Sequence, residues 1–403
     1  MKPHFRDGNR ITLLNSGREY FPALLAALQG AQQEIFLETY IFSGDATANA
    51  VVERLCAAAV RGVRVHVLAD GFGARDMPQV YQERLARSGA RLLNYRRPVL
   101  WRPVRGLRRM HRKIVVIDGA LPASSKALVG GINIIDDWNT PDEVPPRYDY
   151  AVQVQGPLVA DIAAAARHLW NVTSLARLRA PAAKQPAKDA QTALGAPATA
   201  PVTALPEGAR AALVVRDNLL HRTAIEDSYL VAIKSAHNRI ILACGYFLPS
   251  RRFYLALRSA ALRGVAVTVL LQGPSDHPLM KAASQSLYRR LLAAGIKVVE
   301  YNKSFLHAKV AVIDDAWATV GSSNIDPFSL LLAREANIVV MDAAFAKQLR
   351  DSLEFAIADG GARVSAESVA HAGWLARALQ WFAYRYARAV IDLVMPSGAR
   401  KLV

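Results

Sequence analysis

The sequence predicts an α/β fold built twice over: two tandem lobes, each a mixed sheet flanked by helices, packed face to face with the active site at their interface. Two observations carry this expectation. First, one short pattern occurs in two copies, His111, Lys113 and Asp118 in MHRKIVVID and His307, Lys309 and Asp314 in LHAKVAVID. Each is H-x-K-x4-D on an apolar run that reads as a strand. Each is followed by a glycine and an asparagine, Gly130 and Asn133 in VGGIN, Gly321 and Asn324 in VGSSN. Second, the chain aligns with itself well beyond the motifs. AQQEIFLETYIF (31–42) matches AHNRIILACGYF (236–247), RGVRVHVL (61–68) matches RGVAVTVL (263–270), and SGARLLNY (88–95) matches AGIKVVEY (294–301), in the same order. A repeat of this length is domain-sized, not a solenoid period.

Each unit is expected to open with a helical run, Phe21–Leu28 and Ala224–Lys234, because its apolar residues recur at helical spacing. A strand follows within IFLETYIF and RIILACGYF, rich in branched and aromatic residues. A second helix spans Ala46–Val60 and Phe253–Arg263 and stops at the glycine of R-G-V, which turns the chain into a second strand. A third helix, Gln79–Ser88 and Ala282–Ala293, again ends near a glycine and leads to RLLNY or KVVEY. The motif strand comes last. Between the lobes, residues 180–209 are rich in Ala, Pro and Thr and carry few large apolar residues, which suits a tether and cannot support a core. The expected organisation is a first lobe at 1–179, this linker at 180–209, a second lobe at 210–364 and a basic C-terminal segment at 365–403.

At 403 residues, 52% of them hydrophobic, the chain is long enough to bury two cores. Cys56 falls in an expected helix and Cys244 in a strand, without a C-x-x-C or Cys/His cluster, so both read as reduced structural thiols in place of a disulfide or zinc site. The first residues, MKPHFRDGNR, lack the apolar core of a signal peptide. No stretch of about 18 uncharged apolar residues marks a spanning helix.

The net charge is +17, and seven arginines lie between Arg91 and Arg109, directly before His111. So basic a chain implies an acidic partner, either nucleic acid or an anionic membrane, and charge alone does not choose. The C-terminus bears on that choice. From Gly373 to Val394 the run reads as a helix with Leu375, Leu379, Phe382, Tyr386, Val390 and Leu393 on one stripe. Arg377, Arg385 and Arg388 lie opposite, with Trp381 among them. Such a helix suits the plane of a membrane surface; the alternative is that its stripe docks on the second lobe as ordinary core.

The doubled motif carries the chemistry. In a strand, residues i and i+2 share a face, so His111 projects with Lys113 and His307 with Lys309, while Arg112, Ile114, Ala308 and Val310 face away. Packing the motif strands against each other sets two imidazoles across a small pocket flanked by two ammonium groups. A phosphodiester there can be attacked by one histidine while the other protonates the leaving oxygen. The lysines, Asn133, Asn324 and the Ser322 hydroxyl would stabilise charge on the non-bridging oxygens. Asp118 and Asp314 lie where each motif strand turns and read as structural. Asp149 in RYDYAV and Glu335 in AREANIVV are the candidate acceptors that orient the histidines. No metal or cofactor is required. The histidines at 4, 66, 168, 221, 237, 277 and 371 default to structural roles, with His277 alone expected near the mouth. Glu38 and Asp70, each interrupting or ending an apolar strand, are candidates for pocket lining, and the polar loop 136–149 is a candidate rim or a plain connector.

The doubled H-x-K-x4-D with G-[GS]-x-N resembles the phospholipase D superfamily over nearly the whole chain. FLETYIF, RRMHRKIVVIDG, VGGIN, DYAVQVQGP, HAKVAVIDD and WATVGSSNIDP resemble bacterial cardiolipin synthases, most closely the cardiolipin synthase B type. The resemblance implies two phospholipase D-like lobes and a covalent phosphohistidine route. It makes His111, Lys113, Asp118, His307, Lys309 and Asp314 the catalytic set. His111 would attack phosphatidylglycerol and release glycerol with His307 as acid. His307 would then act as base for a second phosphatidylglycerol hydroxyl, giving cardiolipin. The implied partner is anionic phospholipid at the cytoplasmic face of a bacterial membrane, bound peripherally, and nucleic acid is not expected. The rival readings are hydrolysis at the same site, a nucleic-acid phosphodiesterase, and a non-catalytic basic membrane module.

Overall fold

The structure is a computed structural model and describes residues 3–95, 109–140, 144–178, 208–217, 221–326, 333–371 and 373–394. The linker expected at 180–209 lies outside these residues apart from its last two, as does most of the arginine cluster preceding His111.

One mixed sheet runs through both halves. From the outer edge of the first half it passes through Arg91–Tyr95, Arg64–Asp70, Glu34–Thr39, Ile114–Ile117, Lys126–Gly130, Tyr150–Gln155 and Arg6–Asn15. Arg6–Asn15 then pairs antiparallel with Ala209–Arg216. The second half continues in mirrored order through Ala333–Met341, Trp317–Gly321, Lys309–Ile313, Arg239–Cys244, Ala266–Gln272 and Lys297–Tyr301 to Gly361–Arg363. The inner strands also pack face to face, Lys126–Gly130 and Tyr150–Gln155 against Trp317–Gly321 and Ala333–Met341. A shared apolar core fills this contact, with Val129, Val152, Val320 and Ile338 all buried in it. Separate outer cores lie under the helices of each half.

The repeat is visible in its fastenings. Gly62 and Gly264 both take left-handed backbone, φ +92° and +91°, which L side chains rarely adopt. The arginine before each glycine donates to three carbonyls at the end of its half's first helix, Ser16–Gln29 or Ala224–Ser235, and the turn after it. Arg61 reaches Leu28, Gln29 and Ala31. Arg263 reaches Ile233, Lys234 and Ala236. Asp45 and Ser250 cap the helices Ala46–Val60 and Arg251–Leu262 by accepting from the Ala48 and Phe253 N–H.

Three expectations need correction. Each half opens with a strand, Arg6–Asn15 or Ala209–Arg216, before its first helix. The motif strand is not last: two further strands and a long helix follow, Leu158–Leu178 or Ala343–Gly360. The motif strands are not packed against each other, since each lies inside its own half, paired with Glu34–Thr39 or Arg239–Cys244. Smaller differences are local. The third helix of the second half is broken into Pro278–Gln285 and Tyr288–Ala293.

The C-terminal helix Trp374–Val394 docks on Pro278–Gln285. It docks through small residues, Ala383 and Ala387, which are buried. The larger stripe stays outside: Leu375, Leu379, Phe382 and Tyr386 are all at least half exposed, as are Trp374 and Trp381. Arg385 lies over the Trp381 ring. The side chains of Arg388, Val390 and Leu393 lie outside the described residues.

Candidate active site

Each H-x-K segment is held by the opposite half. Just before His111, Arg109–Met110 pairs in parallel with Ala333 and Arg334, and the His111 N–H donates to the Arg334 carbonyl. Just before His307, Phe305–Leu306 pairs in parallel with Arg147–Tyr148, and the His307 N–H donates to the Tyr148 carbonyl. Residues 147–149, at the end of the polar loop, therefore lie at His307. This exchange brings the carboxylates across. His111 Nδ1 lies 3.0 Å from Glu335 and 3.2 Å from the Ser322 carbonyl. His307 Nδ1 lies 2.7 Å from Asp149. With Nδ1–H donated to a carboxylate, Nε2 of each ring is left with its lone pair.

Lys113 and Lys309 each donate to the carbonyl of their own motif histidine, His111 and His307. Lys309 also lies 3.7 Å from Asp149. Burial pulls the Lys113 ammonium down to about 7, a shift that Glu335 opposes and Lys309 reinforces. Burial likewise lowers His307 to about 4, aided by Lys309 and opposed by Asp149. It lowers His111 too, against the pull of Glu335. Burial alone would raise Asp149, but Lys309 and His307 more than offset it and hold the carboxylate ionised. Both imidazoles are thus neutral near pH 7, the form that has a free lone pair.

Two candidates stand apart from this cluster. Asp118 accepts from the N–H groups of Gln32, Gln33 and Glu34, and Asp314 from those of His237, Asn238 and Arg239. Seven residues of extended chain, roughly 20 Å, separate each from its histidine. They pin the turn before the neighbouring strand and cannot reach the reacting atoms. Ser322 is also corrected. Its hydroxyl is fully buried, donates to Glu335 and accepts from the Ala336 N–H, so it holds the carboxylate in place of meeting a substrate. The first half has Gly131 there because a Cβ would lie 2.3 Å from Asp149. Asn133 accepts from the Ile41 N–H, and the Asn324 carbonyl oxygen lies against Cys244, which leaves each amide nitrogen as the donor.

Glu38 does not line the pocket. It forms a buried bidentate pair with Arg112, 2.7 Å at its Nε. Asp70 accepts from the Phe72, Gly73 and Met110 N–H groups and so anchors the chain entering His111. His277 lies against Tyr246, ring centroids 5.6 Å apart. Two residues escaped the sequence reading. Tyr40 packs edge-on to His111, ring centroids 5.0 Å apart, with the Lys113 ammonium 5.4 Å from its ring. Arg216, wholly buried, stands opposite Glu335 in the strand register and donates to the Ala333 carbonyl. The alignment of the two copies, which sets Tyr40 against Gly245, was the available signal for the first; the second had none. Among the described residues no three His, Cys, Asp or Glu side chains group as a metal-ligand set.

Two α/β halves that exchange carboxylates behind a pair of H-x-K histidines define the phospholipase D-like class. The comparisons agree. Residues 24–170 and 229–356 match the family model of the cardiolipin synthase PLD-like domain. The chain is 38% identical over 370 residues to cardiolipin synthase B of Escherichia coli K12, covering 89% of this chain and 83% of that protein. It is 30% identical over 349 residues to cardiolipin synthase A of Pseudomonas putida, covering 86% and 67%. In fold it is similar to phosphatidylserine synthase from Haemophilus influenzae, with a TM-score of 0.66, 14% identity and coverage of 95% and 94%. It is also similar to polyphosphate kinase from Porphyromonas gingivalis, with a TM-score of 0.57, 16% identity and coverage of 95% and 53%. The chain belongs to the cardiolipin synthase family of phospholipase D-like phosphatidyltransferases.

Proposed function

We propose that the chain transfers a phosphatidyl group from one phosphatidylglycerol to a hydroxyl of another, through a phosphohistidine, at a membrane surface. The observation that carries this reading is the crossed pair of carboxylates, Glu335 on His111 and Asp149 on His307. Both rings are fixed through Nδ1, so both Nε2 atoms are available to one phosphodiester. Neutral His111 attacks phosphorus and forms the N–P bond. The glycerol oxygen leaves with a proton from His307, whose protonation is favoured once the anionic diester is bound. An incoming hydroxyl then gives its proton to His307 as its oxygen bonds to phosphorus and the N–P bond breaks. Lys113, Lys309, Asn133 and Asn324 supply donors for the non-bridging oxygens.

The exposed Leu375, Leu379, Phe382 and Tyr386 stripe, with Trp374, Trp381 and Arg385 beside it, supports peripheral docking on an anionic bilayer. No described helix is long and apolar enough to cross a membrane. The test is incubation with phosphatidylglycerol vesicles and excess chelator. Cardiolipin and glycerol are expected; phosphatidic acid alone would identify a hydrolase, and cleavage of DNA or RNA without lipid turnover a nuclease.

A further inference from the structure

The carboxylates behind the two histidines have different neighbours. Asp149 and Glu335 occupy matching positions in the internal alignment. Asp149 has the Lys309 ammonium 3.7 Å away, and Ser16, at the end of the neighbouring strand, donates its backbone N–H to the Asp149 carbonyl. In the second half the place of Ser16 is taken by Arg216, which stands opposite Glu335 in the antiparallel register. Residues so paired hold their Cβ atoms about 5 Å apart on one face of the sheet. Arg216 is 0% exposed. Its Nε donates to the Arg222 carbonyl at 3.0 Å and its Nη1 to the Ala333 carbonyl at 2.7 Å. Ala333 lies two residues before Glu335, so the guanidinium is held alongside the strand that carries the carboxylate. Nη2 has no hydrogen-bond partner among the described residues.

A buried cation with an unmade hydrogen bond is costly, and a neutral side chain would cost less unless the charge is used. The acids that face it are Glu335, Asp326, Asp217 and Glu226, and Arg222 lies near as a like charge. Burial pulls the guanidinium down to about 10, and Glu335 is the strongest influence holding it up. Glu335 itself accepts from His111 Nδ1 and from the Ser322 hydroxyl. Lys113 and Lys309 also act on the His111 ring, as like charges. We propose that Arg216 is a positioning residue for His111: it is the standing counter-charge of Glu335, so that this carboxylate goes on accepting from Nδ1 when an anionic diester enters. The proposal rests on His111 being the attacking ring. An anion in the pocket raises the proton affinity of the groups around it. Without the guanidinium, the His111–Glu335 pair takes up a proton at higher pH, and a protonated His111 has no lone pair for phosphorus. At Asp149 the same part falls to Lys309.

The experiment reads the His111 titration directly. Full-length protein labelled with 15N-histidine is titrated by NMR, the His111 signal being the one missing from His111→Ala. The pH profile of kcat/KM on phosphatidylglycerol vesicles is recorded alongside. Arg216→Met removes the charge and keeps most of the bulk. It should move the His111 midpoint and the acid limb of kcat/KM upward together by about one unit, as expected when a full charge leaves a buried neighbourhood. Arg216→Lys restores the charge and should bring both back toward the wild-type values. A folded Arg216→Met protein with an unmoved midpoint overturns the proposal. If that variant does not fold, Glu335→Gln is compared with Glu335→Gln/Arg216→Met, in which both buried charges are gone. There kcat should agree within about threefold, because the arginine has no carboxylate left to act on. A further tenfold loss, or a double variant that also fails to fold, makes Arg216 a purely structural residue and overturns the proposal as well. The NMR arm needs no substrate. A wild-type protein that forms no product from phosphatidylglycerol removes the transfer reading, while the midpoints still decide whether Arg216 acts on His111.

Discussion

His307 and Asp149, 158 positions apart and from opposite halves, meet at 2.7 Å. The carboxylate accepts from Nδ1 and so selects the tautomer whose Nε2 carries the lone pair. Asp149→Asn should therefore lower kcat by about 10²- to 10⁴-fold, the range seen when a general base loses its orienting acid, with the melting temperature little changed. Glu335→Gln should do the same through His111. Full turnover in both variants would mean that the carboxylates only pack the interface.

His111→Ala should abolish any phosphatidyl group trapped on the protein when turnover with labelled phosphatidylglycerol is quenched in base. His307→Ala should keep a trace of label, since it removes the proton carrier and leaves the attacking ring. Label that survives in His111→Ala but not in His307→Ala would reverse the two roles.

The pH profile follows from the shifts at the site. The attacking ring must be neutral, and burial lowers His111 from its usual value, so the acid-side loss of kcat/KM should begin below the ordinary histidine range. Lys113 must be charged to grip the diester, and its value near 7 means that activity should fall as pH rises through that point. A rate that is flat to pH 9 would show that the Lys113 charge is not needed.

Replacing Leu375, Leu379 and Phe382 together by serine should cut co-sedimentation with anionic vesicles at least tenfold. Apolar burial of about 1.5–3 kcal/mol per side chain would allow far more if all three entered the bilayer. All three are more than half exposed, so thermal stability should not move. Unchanged sedimentation would assign membrane contact to another surface.

The buried Arg112–Glu38 pair has a control inside the molecule, because the second half carries Ala308 and Ala243 at the matching positions. Glu38→Ala should cost about 3–5 kcal/mol by leaving a buried guanidinium unpaired. The double change to alanine should recover part of that loss in thermal unfolding. A double variant as unstable as the sum of its singles would show no coupling.

Much of this arrangement is legible in the chain. The i, i+2 spacing of His111 and Lys113 gives their shared side, and the internal alignment gives most strands and helices in order. What eluded the sequence was tertiary. Nothing local says that Glu335 belongs to His111 and not to His307, because that depends on two short parallel pairings between distant segments. Asp118 sits in the motif by spacing, yet its role is set by three N–H groups from residues 32–34. Ser322 has the residue type of a phosphate ligand, yet its hydroxyl donates its hydrogen bond to Glu335. The C-terminal stripe was read correctly as apolar, but the helix docks by its alanines, whose small side chains permit close approach.

Housing both repeats in a single polypeptide has a price-free benefit that a self-associating ancestor of one repeat would lack. Two identical subunits must present the same residue on either side of their symmetry axis, tyrosine twice or glycine twice. Fusion lets position 40 carry a tyrosine against His111 while position 245 carries a glycine. Unlike surroundings for the two rings are thus permitted by covalent linkage, and a protein reassembled from two first repeats would carry a tyrosine beside each histidine.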